Sequence, residues 1–168
     1  MTRRKRIELA IDAVAALRRT FPKAMLVVTG GPGAHNPANK EYERELVARA
    51  GPGVCLFHAE GVRVGIREVA DLYGLADILI LPSANEGFGL PILEAGLRRL
   101  PIVCTDIPAL RETAGPDATY LPLEADGAAF ARAVAERLDG PIARLHRRAR
   151  ENEWPRVLAE HVLPAIHR

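Results

Sequence analysis

The sequence predicts an α/β fold: a single domain in which a doubly wound parallel sheet carries helices on both faces and a helical tail follows. Short apolar runs that lack polar alternation are typical of parallel strands buried on both faces. Segments with helical spacing of apolar residues separate these runs, as expected when each strand is followed by a crossover helix. The chain of 168 residues is 48% hydrophobic and 26% charged, which suits one globular domain with its own core.

The predicted elements alternate along the chain, and capping residues mark several boundaries. Asn36 and Pro37 suit the cap and the first position of the second helix, and Asp106 is expected to cap the fifth. The predicted helices cover residues 5–20, 38–50, 66–76, 91–99, 107–114, 126–139, 141–153 and 155–166. The predicted strands cover residues 24–31, 54–58, 77–82, 101–105 and 119–122.

The composition argues against several classes of protein. No apolar run approaches the roughly 20 residues of a membrane-spanning helix. The basic start MTRRKR leads into a pattern with Glu8 and Asp12 rather than an apolar signal segment. Cys55 and Cys104 lie inside apolar runs, as expected for reduced cysteines of a cytoplasmic protein. The net charge of +2 does not indicate nucleic acid, and the basic start gives only weak attraction to an anionic membrane surface.

One loop has the features of an anion site. Ligands of such folds bind beyond the carboxyl ends of the strands, where loops lead into helix N-termini. The stretch LPSANEGFGLPILEAG, residues 81–96, contains such a loop. Gly87 and Gly89 allow backbone amides to approach a ligand, and Pro91 suits the first helical position. Unpaired amides and the positive helix end predict a site for an anion, most often phosphate.

Two carboxylates, Glu86 and Glu94, flank this turn. A carboxylate would repel a phosphate, but it accepts hydrogen bonds from neutral hydroxyls. A nucleotide sugar carries such hydroxyls on both sides of its diphosphate, on the ribose and on the hexose. The pattern therefore predicts a nucleotide-sugar site. The simpler alternatives are a solvated loop charge for Glu86 and a carboxylate that complements the helix dipole for Glu94.

The stretch LILPSANEGFGLPILEAG closely resembles the signature of glycosyltransferase family 4, retaining enzymes that use nucleotide-sugar donors and in which two glutamates flank a Gly-Phe-Gly turn. The resemblance continues in order through RKRIELAIDAV, VTGGPGAHNPANKEYERELVARA, REVADLYGLADILILPS and PIVCTDIPALRETAG. It covers roughly residues 3–122, with a weaker match at Trp154. The resemblance implies that residues 1–168 form the Rossmann-like, donor-binding C-terminal domain of a two-domain B-type fold.

The resemblance also implies roles for individual residues. Glu86 would contact hydroxyls of the transferred sugar, and Glu94 would contact the hydroxyls of the ribose. Lys5 would contact the diphosphate and stabilise it as the leaving group, so Glu86 and Lys5 are the candidate catalytic residues. The sugar and the diphosphate would be held by the turn residues Gly87, Phe88, Gly89 and Leu90.

The glycine-rich loop after the first predicted strand also lies near the expected cleft. Gly31 and His35 are its donor-binding candidates, and a loop or capping role for His35 stays open. The sequence has no Asp-x-Asp pair, so no metal held by paired aspartates is expected, in agreement with the metal independence of the family. No cofactor is expected besides the nucleotide sugar as co-substrate.

Members of this family bind the donor between two domains, and this sequence resembles only the second. The acceptor-binding half is not recognised here, nor is the strand, ending in Gly-Arg, that should precede the first helix. We therefore expect nucleotide-sugar binding but little or no transfer by this chain alone, and Met1 could be an internal methionine of a longer frame. The alternative is a nucleotide-sugar-binding module that either depends on a separate chain for its acceptor half or is the inactive product of a truncated gene.

Two further hypotheses have weaker support. A dinucleotide could bind the TGGPG loop, but Gly30, Gly31 and Gly33 do not give the G-x-G-x-x-G spacing. A hydrolase could use Ser83 as its nucleophile. That serine lacks the G-x-S-x-G elbow, and no motif ties a histidine to it. The base, the sugar and the acceptor are not identified by the sequence.

Overall fold

The computed structural model describes residues 1–32 and 36–151. Parallel strands alternate with helices along this part of the chain. The strands are β1 (Leu26–Val28), β2 (Val54–Leu56), β3 (Leu79–Leu81), β4 (Ile102–Thr105) and β5 (Thr119–Leu121). The α-helices are α1 (Ile7–Leu17), α2 (Pro37–Arg49), α3 (Ile66–Leu75), α4 (Leu90–Leu97), α5 (Pro108–Ala114), α6 (Gly127–Leu138) and α7 (Pro141–Glu151). Short 3-10 turns cover Arg3–Lys5 and Gly115–Asp117.

The strands form two parallel ladders. β1 pairs with β2, and β4 lies between β3 and β5. Val27 lies opposite Cys55 in the first ladder, and Val103 lies opposite both Ile80 and Thr119 in the second. The predicted α/β class with parallel strands is confirmed. The separation of the strands into a two-stranded and a three-stranded ladder is a feature that the sequence pattern does not reveal.

Helices cover both faces of the three-stranded ladder. On one face, Val103 of β4 shares a core cluster with Leu17 of α1 and Phe130 of α6. On the other face, Cys104 shares a cluster with Leu110 of α5 and with residues of α4. Successive strand residues point to opposite faces, so these two clusters bury β4 along its whole length. β4 is therefore buried on both faces, as its continuous apolar run predicts, and it is the central strand of this ladder.

A third core cluster joins the two-stranded ladder to α1 and α2. The Tyr42 hydroxyl accepts a hydrogen bond from the amide of Ile7 at 2.8 Å and donates one to the carboxylate of Glu8. Burial, followed by the hydrogen bond to Glu8, raises the pKa of the Tyr42 phenol, so the hydroxyl remains a donor at neutral pH. The buried members of this cluster are Met1, Ile11, Tyr42, Leu46 and Leu56.

The first α-helix begins at Ile7, which corrects the predicted span of residues 5–20. Arg6 has a left-handed backbone conformation, with φ of 46°, that interrupts helical geometry. The Arg6 guanidinium donates to the Pro82 carbonyl at 2.6 Å, the Leu123 carbonyl at 2.6 Å and the Thr105 hydroxyl at 3.0 Å. These three acceptors hold the Arg6 side chain outside the helix and explain why α1 starts later than predicted.

Other predicted elements are present with shorter bounds. The strand predicted over residues 24–31 is confined to Leu26–Val28, because the flanking chain makes turn and loop contacts instead. One of these is the hydrogen bond from the amide of Ala24 to the carbonyl of Phe21. The predicted helix over residues 155–166 and the match at Trp154 lie outside the described residues.

Of the two N-caps predicted from the sequence, the structure contains the one at Asn36 and not the one at Asp106. The Asn36 side chain accepts a hydrogen bond from the amide of Ala38 at 3.0 Å and caps α2. Asp106 does not cap α5, because both of its carboxylate oxygens accept hydrogen bonds from Arg111. The Arg111 guanidinium lowers the pKa of the Asp106 carboxyl through these hydrogen bonds. The prediction of an Asp106 cap is therefore wrong.

A close approach between α1 and α6 depends on Gly127. This glycine begins α6, and a Cβ there would lie 3.1 Å from the carbonyl oxygen of Leu9 and would collide with the Cβ of Asp12. Neither atom can swing aside, because one belongs to the backbone and the other is bonded directly to it. The missing side chain at Gly127 therefore lets the two helices pack against each other.

We expect Gly127→Ala to lower the free energy of unfolding by about 1–3 kcal/mol, because the two helices must move apart. Gly74→Ala is the matched control, since Gly74 lies within α3 and an added Cβ would meet no atom within 4 Å. That control should raise stability by about 0.5–1 kcal/mol through helix propensity. Urea denaturation followed by circular dichroism measures both changes. Equal changes in the two variants would contradict the close packing at Gly127.

Candidate functional site

The turn between β3 and α4 depends on Gly89. This residue has a φ of 81°, in the left-handed region, and immediately precedes α4. A Cβ there would lie 3.0 Å from Leu110 Cδ2 and 3.5 Å from Ile92 Cδ1, so conformation and packing both favour glycine. Pro91 follows in the first turn of α4, where a missing amide costs no helical hydrogen bond.

The turn exposes backbone donors. Within residues 1–32 and 36–151, the amides of Phe88, Gly89 and Leu90 donate to no protein acceptor. The side chains of Phe88 and Leu90 are largely exposed, and Gly87 has open space around its Cα. Thr113 donates a hydrogen bond to the Phe88 carbonyl and ties the turn to α5. Free amides beside the positive end of α4 make a surface that suits an anion.

Glu86 is held at the start of this turn by two donors. The hydroxyl of Ser83 donates to Glu86 Oε1 at 2.7 Å, and the ammonium of Lys5 forms an ion pair with the same oxygen. The side chain of Glu86 is only 6% exposed, and Ser83 is fully buried. Buried carboxylates need such partners, because an unpaired buried charge is costly. Glu86 is therefore a positioned group rather than a solvated loop charge.

Lys5 reaches Glu86 because of the chain segment before α1. The 3-10 turn Arg3–Lys5 is followed by the left-handed Arg6, whose side chain is bound to the carboxyl edge of β3–β5. The carbonyl of Arg4 also accepts a hydrogen bond from the amide of Ala84 at 2.7 Å, directly after Ser83. Two residues that are 81 positions apart in the sequence thus meet at one site.

Glu94 lies on the exposed surface of α4 and has a different partner. The hydroxyl of Tyr73 in α3 donates to Glu94 Oε2 at 2.9 Å. Burial, followed by the hydrogen bond to Glu94, raises the pKa of the Tyr73 phenol, so Tyr73 stays protonated and donates. The structure thus gives separate partners to Glu86 and Glu94, and both carboxylates flank the start of α4.

The loop after β1 contributes one described candidate. The carbonyl of Gly31 accepts a hydrogen bond from the terminal amine of Met1. The ring of His58 occupies the space that a Cβ at Gly31 would need, and His58 Nδ1 lies 2.6 Å from Glu43 Oε1. His35, the other candidate of this loop, lies outside the described residues.

Three functional contacts were not predicted from the sequence. These are the bond from Ser83 to Glu86, the bond from Tyr73 to Glu94 and the anchoring of Arg6. The Ser-x-x-Glu spacing of Ser83 and Glu86 was a local signal, since a hydroxyl and a carboxylate three residues apart often bond in turns.

The complete burial of Ser83 argues against the hypothesis of a hydrolase that uses it as nucleophile.

Two surface depressions lie apart from the candidate site. The first, of about 420 Å³, is lined by Pro22, Lys23 and Val54, and the second, of about 360 Å³, by Glu43 and Val47. Neither contains the turn or its carboxylates.

Among residues 1–32 and 36–151, no group of three or more His, Cys, Asp or Glu side chains has an arrangement that could hold a metal ion. In the same ranges, every helix is too short or too polar to cross a bilayer.

Comparison with known proteins gives a consistent family assignment. The family model described as glycosyl transferases group 1 matches residues 1–153. The serotype-specific mannosyltransferase WbdA of Escherichia coli is 38% identical over 86 residues, which are 51% of this chain and 10% of that protein. The D-inositol 3-phosphate glycosyltransferase of Streptomyces avermitilis is 31% identical over 150 residues, covering 84% of this chain and 32% of that protein. The chain thus spans about a third or less of these relatives.

Solved structures show the same architecture. A sucrose-phosphate synthase from Thermosynechococcus elongatus superposes with a TM-score of 0.66 at 25% identity, covering 89% of this chain and 37% of that one. The C-terminal domain of the group 1 glycosyltransferase LpcC from Francisella tularensis has a TM-score of 0.62 at 18% identity. That match covers 97% of this chain and 83% of the LpcC domain, and it shows likeness of fold.

We expect the Lys5–Glu86 pair to be energetically coupled. Removing Lys5 alone, as in Lys5→Met, leaves a largely buried carboxylate without its cation, whereas the double variant with Glu86→Gln removes both charges. A double-mutant cycle by urea denaturation should give a coupling energy of about 1–2 kcal/mol.

The exposed pair Arg44–Glu41, treated with the equivalent Met and Gln substitutions, provides the control. Its coupling should be near zero, because solvent screens a surface ion pair. A Lys5–Glu86 coupling no larger than that of the control would show that the buried ion pair does not form in solution.

Proposed function

The chain belongs to the group 1 glycosyltransferases, and we propose that its site at the carboxyl edge of β3 binds a nucleotide-diphosphate sugar. The observation that carries this proposal is the placement of a fixed carboxylate next to free turn amides. Glu86 is hydrogen-bonded to Ser83 and Lys5. The amides of Phe88 and Gly89, which donate to no acceptor among the described residues, follow within three residues. An anion that also carries hydroxyl groups is the class of ligand that suits both features.

The diphosphate would lie against Gly87–Leu90 and the N-terminus of α4. Free amides and the positive helix end provide donors and partial charge for phosphate oxygens. Lys5 adds a full positive charge, since its ammonium already lies at the turn beside Glu86. These groups would stabilise the negative charge that develops on the leaving diphosphate. Gly31 and His35, in the loop after β1, are proposed as further donor-binding residues.

The two carboxylates would accept hydrogen bonds from hydroxyls on opposite sides of the diphosphate. Glu86 would bind the transferred sugar. Its burial and its two hydrogen-bond donors, Ser83 and Lys5, support a role in orienting that sugar. Glu94 would bind the ribose. Its carboxylate is exposed, and a ribose hydroxyl could replace or join the hydroxyl of Tyr73 as donor.

The proposed reaction is transfer of a hexosyl group to an acceptor hydroxyl with retention of configuration, as in family 4. The relatives of this chain, a mannosyltransferase and a D-inositol 3-phosphate glycosyltransferase, support a sugar donor of this kind. We assign neither a metal ion nor a cofactor to the reaction, because Lys5 and the turn amides supply the positive charge. Glu86 and Lys5 are therefore the proposed catalytic residues.

An acceptor-binding part would have to complete the site. We propose that residues 1–168 form the donor domain, and that an acceptor domain in the same or a separate chain covers the open side of the turn. The exposed side chains of Phe88 and Leu90, at 55% and 60%, support such a covering surface. The proposed acceptor carries a hydroxyl group. We propose a cytoplasmic location with at most a peripheral attachment to a membrane.

We expect one of UDP, GDP and ADP to bind the purified chain with micromolar affinity in calorimetric titration. Glu94→Ala should weaken that binding about tenfold or more, because a hydrogen bond to a charged group is lost. Glu112→Ala, which removes an exposed carboxylate of α5, is the control and should leave the affinity unchanged. Failure of all three nucleotides to bind, or equal losses in the two variants, would contradict the proposed function.

A further inference from the structure

The hydroxyl of the buried serine after β3 donates to one acceptor among residues 1–32 and 36–151. Ser83 follows Pro82 directly after the strand and has no exposed surface. Its hydroxyl donates to Glu86 Oε1 at 2.7 Å, three residues further along the chain. A buried hydroxyl that donates to a carboxylate forms a charge-assisted hydrogen bond, which is stronger than a bond between neutral groups. Ser83 is thus coupled to Glu86 more strongly than to any other side chain described.

Both donors to Glu86 converge on one of its two oxygens. Ser83 and Lys5 bind Oε1 from different parts of the chain, whereas no described hydrogen bond reaches Oε2. Two donors on a single oxygen fix the plane and the rotamer of the carboxylate. The second oxygen keeps its acceptor capacity, since an ionised carboxylate has lone pairs on both atoms. In Glu86, Oε1 therefore accepts both protein hydrogen bonds, and Oε2 can accept a hydrogen bond from a ligand.

We propose that Ser83 is a positioning residue that aims Glu86 Oε2 at a hydroxyl of the sugar in a bound nucleotide sugar. This inference rests on the proposed function, because Glu86 must be the sugar-binding carboxylate. Ser83 does not touch the ligand and acts only through Glu86. It consequently contributes to the recognition of the sugar and not to that of the nucleoside diphosphate.

This role predicts an effect that a purely structural serine would not have. Loss of a structural hydroxyl would lower stability, and any loss of affinity would be the same for nucleotide and nucleotide sugar. Loss of a positioning hydroxyl leaves Glu86 bonded to Lys5 alone, free to turn about that bond. Affinity for the sugar nucleotide then falls while affinity for the diphosphate is kept. The ratio of the two dissociation constants is the diagnostic quantity.

The test uses calorimetric titration of the whole chain with UDP, GDP and ADP and with UDP-glucose, GDP-mannose and ADP-glucose. We expect Ser83→Ala to raise the ratio of the nucleotide-sugar dissociation constant to the nucleotide dissociation constant about tenfold. Ser83→Cys keeps the shape of the side chain with a slightly larger atom, and its thiol is only a weak donor. The cysteine variant should raise the ratio of dissociation constants by a similar factor, and it replaces the alanine variant if that variant does not fold. Cys104→Ala, which truncates another fully buried side chain in β4, is the control and should leave the ratio unchanged.

The outcomes separate this inference from the function on which it rests. If the unmodified chain binds none of these nucleotides or nucleotide sugars, the proposed function itself is wrong. If it binds them and both Ser83 variants keep the ratio of the unmodified chain, the positioning role is overturned while the proposed function stands. A raised ratio in Cys104→Ala would also overturn it, since general loosening of the core would then explain the effect.

Discussion

The hydrogen bonds of Arg6 are the interaction on which the site most depends. Its guanidinium joins the start of α1 to the chain beyond β3, β4 and β5. The left-handed backbone that this requires costs roughly 1–2 kcal/mol for a residue with a side chain. Hydrogen bonds to a charged group each contribute about 1.5–3 kcal/mol, so three of them outweigh that strain. As a consequence, Lys5, the residue before Arg6, lies within hydrogen-bonding distance of Glu86.

The resulting site combines two kinds of polarity in a small space. Lys5 and Glu86 form a partly buried ion pair, which places a positive and a negative group side by side. Beyond this pair, the amides of Phe88 and Gly89 have no acceptor in the described part of the chain, and the positive end of α4 is adjacent. A phosphate group is attracted by the amides and by the lysine. A hydroxyl group is attracted by the carboxylate. One ligand that carries both groups side by side gains from every element of the site.

Local chemistry made part of this site predictable. The turn at Gly87 and Gly89 and a helix start beside Pro91 could be predicted from the residue types, although α4 begins one residue earlier, at Leu90. The continuous apolar run of β4 predicted its burial correctly. Arg6 could not be found in this way, because a left-handed arginine is held by contacts with residues 76 to 117 positions away. The bond from Tyr73 to Glu94 joins two helices and leaves no periodic signal either.

An amide-resolved NMR titration of the chain with the nucleotide sugar that binds it tests the proposed site most directly. We expect the amide resonances of Phe88, Gly89 and Leu90 to shift most, since these amides would gain acceptors that the described residues do not supply. Smaller shifts should extend to Lys5 and to the start of α4. Shifts centred instead on the depression beside Pro22, Lys23 and Val54, with the turn unchanged, would contradict the proposed site.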